Sequence, residues 1–410
     1  MRACIRRGAA EIGGNTVELE AQGVRILLDL GRPLTAAVDE PVPLPPATAD
    51  LAGVIISHPH EDHCGLLGDL PPDVPVYVGE AAGRILSEAA FFCGRRATPT
   101  PTGFLRDGVP ITLGPFRVTP ISVDHSAFDA YALIVEADGR TLLYTGDLRA
   151  HGRKGRLFER LLRVADSVDT LLMEGTAVRS DSGDVAMPAP TTERGVEAAC
   201  IDTFRRTPGM VLAAYSPQNI DRLVSLYRAA VRSGRDLVMD LYAASMAAAT
   251  GRRTIPQAAW DRVRVYLPRN QRRRIIHAGA FARTRAVHRR RIYADELAAR
   301  ADQLVMTFRF SMARELDAAG CLEGATCIWS MWSAYLEQPY GQELRRWLAA
   351  RGIPVERHHA SGHAPVADLQ RLVSRLRPRR VVPMHTSAPE RFPSLFPGVE
   401  RRSDGEWWEV

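Results

Sequence analysis

The segment Ser57-His58-Pro59-His60-Glu61-Asp62-His63 constrains this chain more than any other. It places three histidines and two carboxylates directly after the apolar run Val54-Ile55-Ile56 and before Gly65-Leu66-Leu67. The apolar run reads as a buried strand and the following stretch as a helix, so the polar residues occupy the loop between them. Two apart in extended chain, His58 and His60 project to the same side, while Asp62 and His63 stand where the chain turns and face a second point. A lone histidine is more often structural. This density of nitrogen and oxygen donors suits zinc, and two neighbouring metal centres would use all four residues.

With 410 residues, 46% hydrophobic and 24% charged, the chain can bury a sizeable core and is expected to form two domains. It contains no apolar run of about 18 residues, so no membrane-spanning helix and no membrane partner is expected. Its start, Met1-Arg2-Ala3-Cys4-Ile5-Arg6-Arg7, enters a Gly-rich polar stretch rather than a signal-peptide core, which predicts a cytoplasmic protein. The cysteines at positions 4, 64, 93, 200, 321 and 327 form no C-x-x-C pair and are expected to be buried free thiols. Net charge is +6, Lys154 is the only lysine, and Arg262 to Arg291 holds 11 arginines without an Asp or Glu, a strong local positive field.

Short β-branched runs separated by Gly-bearing turns dominate the first 175 residues, with helical patterns at 80–90 and 157–164. A Ser/Asp/Gly/Pro-rich loop over 179–192 reads as a crossing between domains. Beyond it, 193–204, 218–233, 243–250 and 283–301 read as helices, and 209–213 and 236–239 as buried strands, a second α/β unit. Chemical residues return at His358, His359, His363 and His385, so the middle of the chain reads as an insertion into the first domain. The expected boundaries are 1–190 and 356–410 for the outer domain and 191–355 for the insert.

The H-x-H-x-D-H run resembles the signature of the metallo-β-lactamase superfamily, and that superfamily's other motifs follow in order. Asp29 in Leu27-Leu28-Asp29-Leu30-Gly31 matches the Asp that orients the ligand loop, His125 in Val123-Asp124-His125-Ser126 the third motif, and Asp147 in Tyr144-Thr145-Gly146-Asp147 the fourth. Within the superfamily the chain is most similar to the β-CASP nucleases. Glu174 in Leu171-Leu172-Met173-Glu174-Gly175-Thr176 matches motif A, His363 in His359-Ala360-Ser361-Gly362-His363-Ala364 motif B, and His385 in Val381-Val382-Pro383-Met384-His385-Thr386 motif C. The segment from His359 to His385, and Glu11-Ile12-Gly13-Gly14-Asn15-Thr16, look like ribonuclease J in particular. Thr386-Ser387-Ala388-Pro389 departs from the usual Gly-Glu, and neither a C-terminal domain after Val410 nor a KH-like N-terminal extension is expected.

The resemblance implies an α/β fold: a metallo-β-lactamase αββα sandwich with an inserted α/β β-CASP domain. It assigns His58, His60 and His125 to one zinc, Asp62, His63 and His385 to the other, and Asp147 to both; manganese would suit the same ligands. Two such ions about 3.5–4 Å apart can lower the pKa of a bridging water and hold a phosphate oxygen for in-line attack on a phosphodiester. Asp62, Glu174 and His363 are the catalytic candidates. His363 either protonates the leaving ribose oxygen or hydrogen-bonds the scissile phosphate, and Glu174 orients a neighbouring histidine. His359, Ser361 and Gly362, with His363, are expected to hold substrate phosphate, and Arg272, Arg273 and Arg274 to line a wall of a cleft against a single strand. In the family a His at motif C accompanies RNA substrates, so the expected reaction is RNA hydrolysis, 5′→3′ exonucleolytic, endonucleolytic or both, leaving 5′-phosphates. The alternatives are a DNA nuclease of the same fold, a non-catalytic RNA-binding scaffold, and a small-molecule metallohydrolase; an oligomer is compatible with all of them.

Overall fold

The computed structural model describes residues 1–37, 40–46, 50–165, 168–179 and 191–410. The chain divides into two compact units, and most of the predicted crossing loop, residues 180–190, lies outside the described residues.

The first unit carries two mixed sheets. In the seven-stranded sheet the spatial order is Trp407–Glu409, Arg2–Arg7, Thr16–Ala21, Val24–Leu28, Gly53–Ile55, Val76–Gly79 and Gly103–Leu105. The six-stranded sheet runs Arg380–Met384, Thr170–Glu174, Arg140–Tyr144, Tyr131–Ala137, Phe116–Ser122 and Ile111–Leu113. Their facing side chains, among them Ile5, Leu19, Ile26, Phe116, Val118, Leu133, Tyr144 and Val382, form one buried core, as the alternation along strands such as Phe116–Ser122 requires. On the far side of the first sheet, Leu27, Val54 and Ile56 pack against Leu66, Leu67, Ala82 and Leu86; on the far side of the second, Leu143, Leu171 and Val381 pack against Phe158, Leu161, Leu369 and Leu372. Four layers, αββα, result.

Strand direction positions the functional loops. Val24–Leu28 and Gly53–Ile55 pair in parallel, and so do Arg140–Tyr144, Thr170–Glu174 and Arg380–Met384. Their carboxyl ends lead directly into Asp29, Ser57–His63, Thr145–Asp147, Glu174 and His385.

The second unit takes Phe91–Cys93 and Thr191–Ser361. Its sheet is wholly parallel, in the order Val263–Tyr266, Asp236–Asp240, Leu304–Phe308, Val211–Ala214, Thr326–Trp329 and Val355–Arg357. Strands covered on both faces read as continuous apolar runs, and Val211–Ala214 and Leu304–Phe308 are buried throughout.

Three expectations need correction. The insert extends past 355 to Ser361, because Val355–Arg357 is the edge strand of its sheet. The predicted helix over 283–301 is broken into Ala282–Val287, a 3-10 turn at His288–Arg290, and Ala294–Ala299. Its interruption has a cause: Ile292 is buried and donates its N–H to the Val265 carbonyl at 3.1 Å, which takes the chain out of the helix. Cys93 is exposed, whereas the other five cysteines are buried and free. Among the described residues, no helix is long and apolar enough to cross a membrane.

One buried ion pair organises the second unit. Arg222, fully buried, donates to Glu193 at 3.0 and 3.2 Å, to the Ser330 carbonyl at 2.8 Å, and to the His358 and Ala360 carbonyls at 3.4 Å. It thereby ties the first turn of helix Glu193–Arg206 to the chain that follows two strands. Arg222→Met takes the guanidinium from the buried Glu193 carboxylate and should cost about 3–5 kcal/mol in denaturant unfolding, most of it recovered in the double variant Arg222→Met/Glu193→Leu. A single variant as stable as wild type would refute that role.

Candidate active site

Asp29 ends its strand with φ +61°, a left-handed conformation that costs a non-glycine residue energy and that the surroundings must enforce. Its buried carboxylate takes four hydrogen bonds: the Ser57 N–H at 2.6 Å, the Ser57 hydroxyl at 2.7 Å, His63 Nδ1 at 2.7 Å and the Tyr144 hydroxyl at 2.6 Å. With Nδ1 of His63 engaged, its Nε2 is directed at Asp147, 3.3 Å away. The backbone after Asp29 completes the cradle. Leu30 N–H donates to the His63 carbonyl at 2.8 Å and Asn15 N–H to the Asp62 carbonyl at 2.9 Å. A Cβ on Gly31 would sit 1.8 Å from the Asp62 carbonyl oxygen, so only glycine permits that approach.

His58, His60, His125 and Asp147 bring donor atoms within 4.8 Å of one another, and so do Asp62, His63, Asp147 and His385. Asp147 belongs to both groups, and its carboxylate lies 3.6 Å from His58 Nε2, 3.8 Å from His125 Nε2 and 3.9 Å from His385 Nε2. His125 turns Nδ1 to the Gly362 carbonyl at 2.6 Å, and His58 turns Nδ1 to the Ser57 hydroxyl at 3.0 Å, so each presents Nε2 inward. His385, also at positive φ (+51°), has Nδ1 against the Asn15 amide at 2.6 Å and the Gly13 N–H at 3.3 Å. Asp147 Oδ1 and Oδ2, His58 Nε2 and His385 Nε2 are buried without a hydrogen-bond partner among the described residues. Buried polar atoms are rarely left so, and a cluster of them from histidines and a carboxylate fits a divalent cation.

Protonation follows from burial and neighbours. Burial pulls His58, His125 and His385 below the ordinary imidazole range and His60 down to about 4, leaving these rings neutral, as ligands must be. Burial acts the same way on His63, yet the Asp147 and Asp29 carboxylates outweigh it and hold that ring well up. His363 is also held up, at about 9: burial opposes protonation, but Glu174 and Asp147 prevail. Its Nδ1 lies 3.1 Å from Glu174 Oε2 and 3.6 Å from Asp147 Oδ2, so Asp147, Glu174 and His363 form a third close group.

The remaining candidates divide between the two units. His359 faces the Ser330 carbonyl at 3.3 Å and Ser361 is exposed, both in the second unit. Gly362 lies against His125, where a Cβ would come within 2.9 Å of the ring. On helix Arg269–His277, Arg272 and Arg273 are exposed, whereas Arg274 is half-buried and donates to the Phe91 carbonyl at 2.7 Å.

Several supporting residues are absent from the sequence-based assignments. Asn15 touches His385 and, at 3.1 Å, His63 Nε2; Ser57 and Tyr144 hold Asp29. Asp124 and Arg149, both fully buried, pair at 3.3 Å, and the Arg149 N–H donates to the Asp124 carbonyl at 2.7 Å. Each stands beside or within two residues of a motif, which was the available signal.

Residues 25–204 match the family model described as a beta-lactamase superfamily domain, and residues 352–390 match a Zn-dependent metallo-hydrolase RNA specificity domain. Ribonuclease J of Sinorhizobium meliloti is 29% identical over 46% of this chain and 34% of its own length. Ribonuclease J of Mycobacterium tuberculosis is 29% identical over 57% of this chain and 43% of its own. The chain therefore spans well under half the length of these curated relatives. A crystal structure of an Enterococcus faecalis V583 protein of unknown function aligns over 99% of both chains with a TM-score of 0.76 at 23% identity, which shows a shared fold. Residues 25–204 thus resemble a beta-lactamase superfamily domain and residues 352–390 a Zn-dependent metallo-hydrolase RNA specificity domain, and about half of the chain is similar to ribonuclease J.

The protonated state of His63 has a measurable consequence. Its Nε2 must lose a proton to bind a cation, so divalent metal uptake near neutral pH should release protons and apparent affinity should rise with pH. Calorimetric titration of metal-free protein in buffers of different ionisation enthalpy reads this directly. Wild-type protein should take up two equivalents of zinc and Asp147→Ala should lose both high-affinity sites; full uptake by that variant would sink the shared-ligand arrangement.

Proposed function

We propose that the chain is a metal-dependent ribonuclease that hydrolyses single-stranded RNA, 5′→3′ from an end, internally, or both, and leaves 5′-phosphates. The observation that carries this reading is the pair of donor groups joined through Asp147, in a fold whose residues 352–390 match an RNA-specificity segment.

In this reading His58, His60, His125 and Asp147 hold one zinc, and Asp62, His63, His385 and Asp147 the second; manganese fits the same donors. When bound, the two cations supply a water of lowered pKa and positive charge against the phosphoryl oxygens. The chain's own groups do the rest. Asp29 keeps Nδ1 of His63 occupied and so fixes which ring nitrogen faces the site. Glu174 accepts from His363 and favours its protonated form, which hydrogen-bonds the scissile phosphate and delivers a proton to the departing ribose oxygen. His359, Ser361 and Gly362 would contact phosphates beside the cut, with Arg272 and Arg273 offering further positive charge to the strand.

The decisive assay incubates metal-replete protein with matched 5′-monophosphorylated, 3′-labelled single-stranded RNA and DNA and sizes the products over time. Shortening of RNA alone is expected. Preference for DNA would move the protein to a DNA-processing role, and no cleavage of either would favour an RNA-binding scaffold. Asp62→Ala and His63→Ala should each abolish cleavage while RNA binding stays within a few-fold; undiminished activity in metal-replete variants would defeat the dinuclear mechanism.

Glu174→Gln tests the acid. Activity needing protonated His363 falls as pH rises through that group's pKa. Loss of the Glu174 charge lowers this pKa, so the alkaline limb of kcat should move to lower pH. An unmoved limb with reduced kcat would leave Glu174 a purely structural role.

A further inference from the structure

The arginine-rich stretch does not form one wall. Part of it gathers with Arg300 around a concavity of about 520 Å³ in the second unit, lined by Gly234, Asp236, Asp261, Gln303 and four arginines, Arg262, Arg264, Arg290 and Arg300. Arg262 and Arg264 flank the start of strand Val263–Tyr266, Asp236 opens strand Asp236–Asp240, and Arg300 and Gln303 precede strand Leu304–Phe308. The concavity therefore lies at the amino edge of the parallel sheet. The unit's last strand, Val355–Arg357, leads to Ser361 from the carboxyl edge, the edge of the same sheet opposite the concavity.

Its charge is unbalanced. Four guanidinium groups face two carboxylates, and Asp261 is 97% exposed and screened by water. Three of the arginines converge on Asp236, yet only Arg300 makes a close contact, at 2.8 Å; Arg262 and Arg264 stand 3.8 and 3.9 Å away. The Arg264 guanidinium makes no hydrogen bond among the described residues, so its planar donor fork is left for another acceptor. Arg262 is held at φ +56° while its guanidinium donates to the Gly234 carbonyl at 3.0 Å, a strained conformation that turns this side chain into the group.

We propose that this concavity binds a compact polyphosphate, such as inorganic pyrophosphate or the phosphate tail of a nucleotide, with Asp236 as the internal counter-ion that the ligand displaces. Forks converging on one point match several negative charges on neighbouring phosphorus atoms, bound bidentately. They match a strand less well, because its phosphates are spaced along a line. Among the described residues, no aromatic or apolar side chain lines the concavity, so the phosphates and not a base are recognised. This proposal does not rest on the ribonuclease reading.

The test is calorimetric titration of the full, metal-loaded protein with pyrophosphate at fixed ionic strength, with a non-cleavable 2′-O-methyl hexanucleotide as the second ligand. Heats arising at the metal centre are common to wild type and Arg264→Gln and cancel between them. Arg264→Gln should weaken pyrophosphate by about tenfold or more, the size expected for a lost charge-assisted contact, and Asp236→Asn should tighten it. Should Asp236→Asn fail to fold, Arg264→Gln decides alone. Identical pyrophosphate affinity in wild type and Arg264→Gln would overturn the proposal, and a loss confined to the hexanucleotide would replace the compact ligand with a strand.

Discussion

The Asp29 carboxylate is the interaction on which the site depends. It is buried between the two sheets' strand ends and accepts from the backbone and hydroxyl of Ser57, the ring of His63 and the hydroxyl of Tyr144. Tyr144 belongs to the second sheet, while Asp29 and Ser57 follow strands of the first. One anion thus fixes the loop carrying His58, His60, Asp62 and His63 and fastens that loop to the strand that delivers Asp147. Burying a charge is costly unless it is fully satisfied, and four donors satisfy this one. The left-handed backbone at Asp29, and again at His385, is strain that this network holds in place.

Strand direction explains why residues so far apart in sequence meet. Parallel neighbours present their carboxyl ends at one edge, and each strand end here delivers a polar residue: Asp29, His58, Asp147, Glu174, His385. The long insertion between Glu174 and His363 does not disturb this, because Thr170–Glu174 and Arg380–Met384 pair in register, Glu174 opposite Met384. The outer domain closes across the insertion through its own sheet.

The sequence made the clustering of His58, His60, Asp62 and His63 legible because donors packed between an apolar run and a glycine leave little alternative. It made the strands of the first unit legible by alternation. It did not make Asn15 or the Asp124–Arg149 pair legible, since a buried polar residue and an exposed one look alike in a single sequence, and only the fold brings Asn15 to His385. The arginine stretch divides for a related reason. A run of like charge suggests one surface, yet the helix–turn–strand path sends Arg264 and Arg290 to one place and Arg274 to the Phe91 carbonyl in another. The expected helix over 283–301 failed because buried Ile292 pairs with Val265, a tertiary contact that composition does not announce.

The electrostatics of the site carry the last step. Four of its histidines are kept neutral by burial, while His63 and His363 are kept charged by Asp147, Asp29 and Glu174. The two charged rings differ in what holds them. His63 has Nδ1 committed to Asp29, so the proton that can leave is the one on Nε2, directed at Asp147. His363 has Nδ1 on Glu174 Oε2 at 3.1 Å, and with Glu174 and Asp147 it forms the third close group. Neighbouring carboxylates therefore hold two rings charged in a site whose burial neutralises the other four, Asp147 and Asp29 for His63, Glu174 and Asp147 for His363.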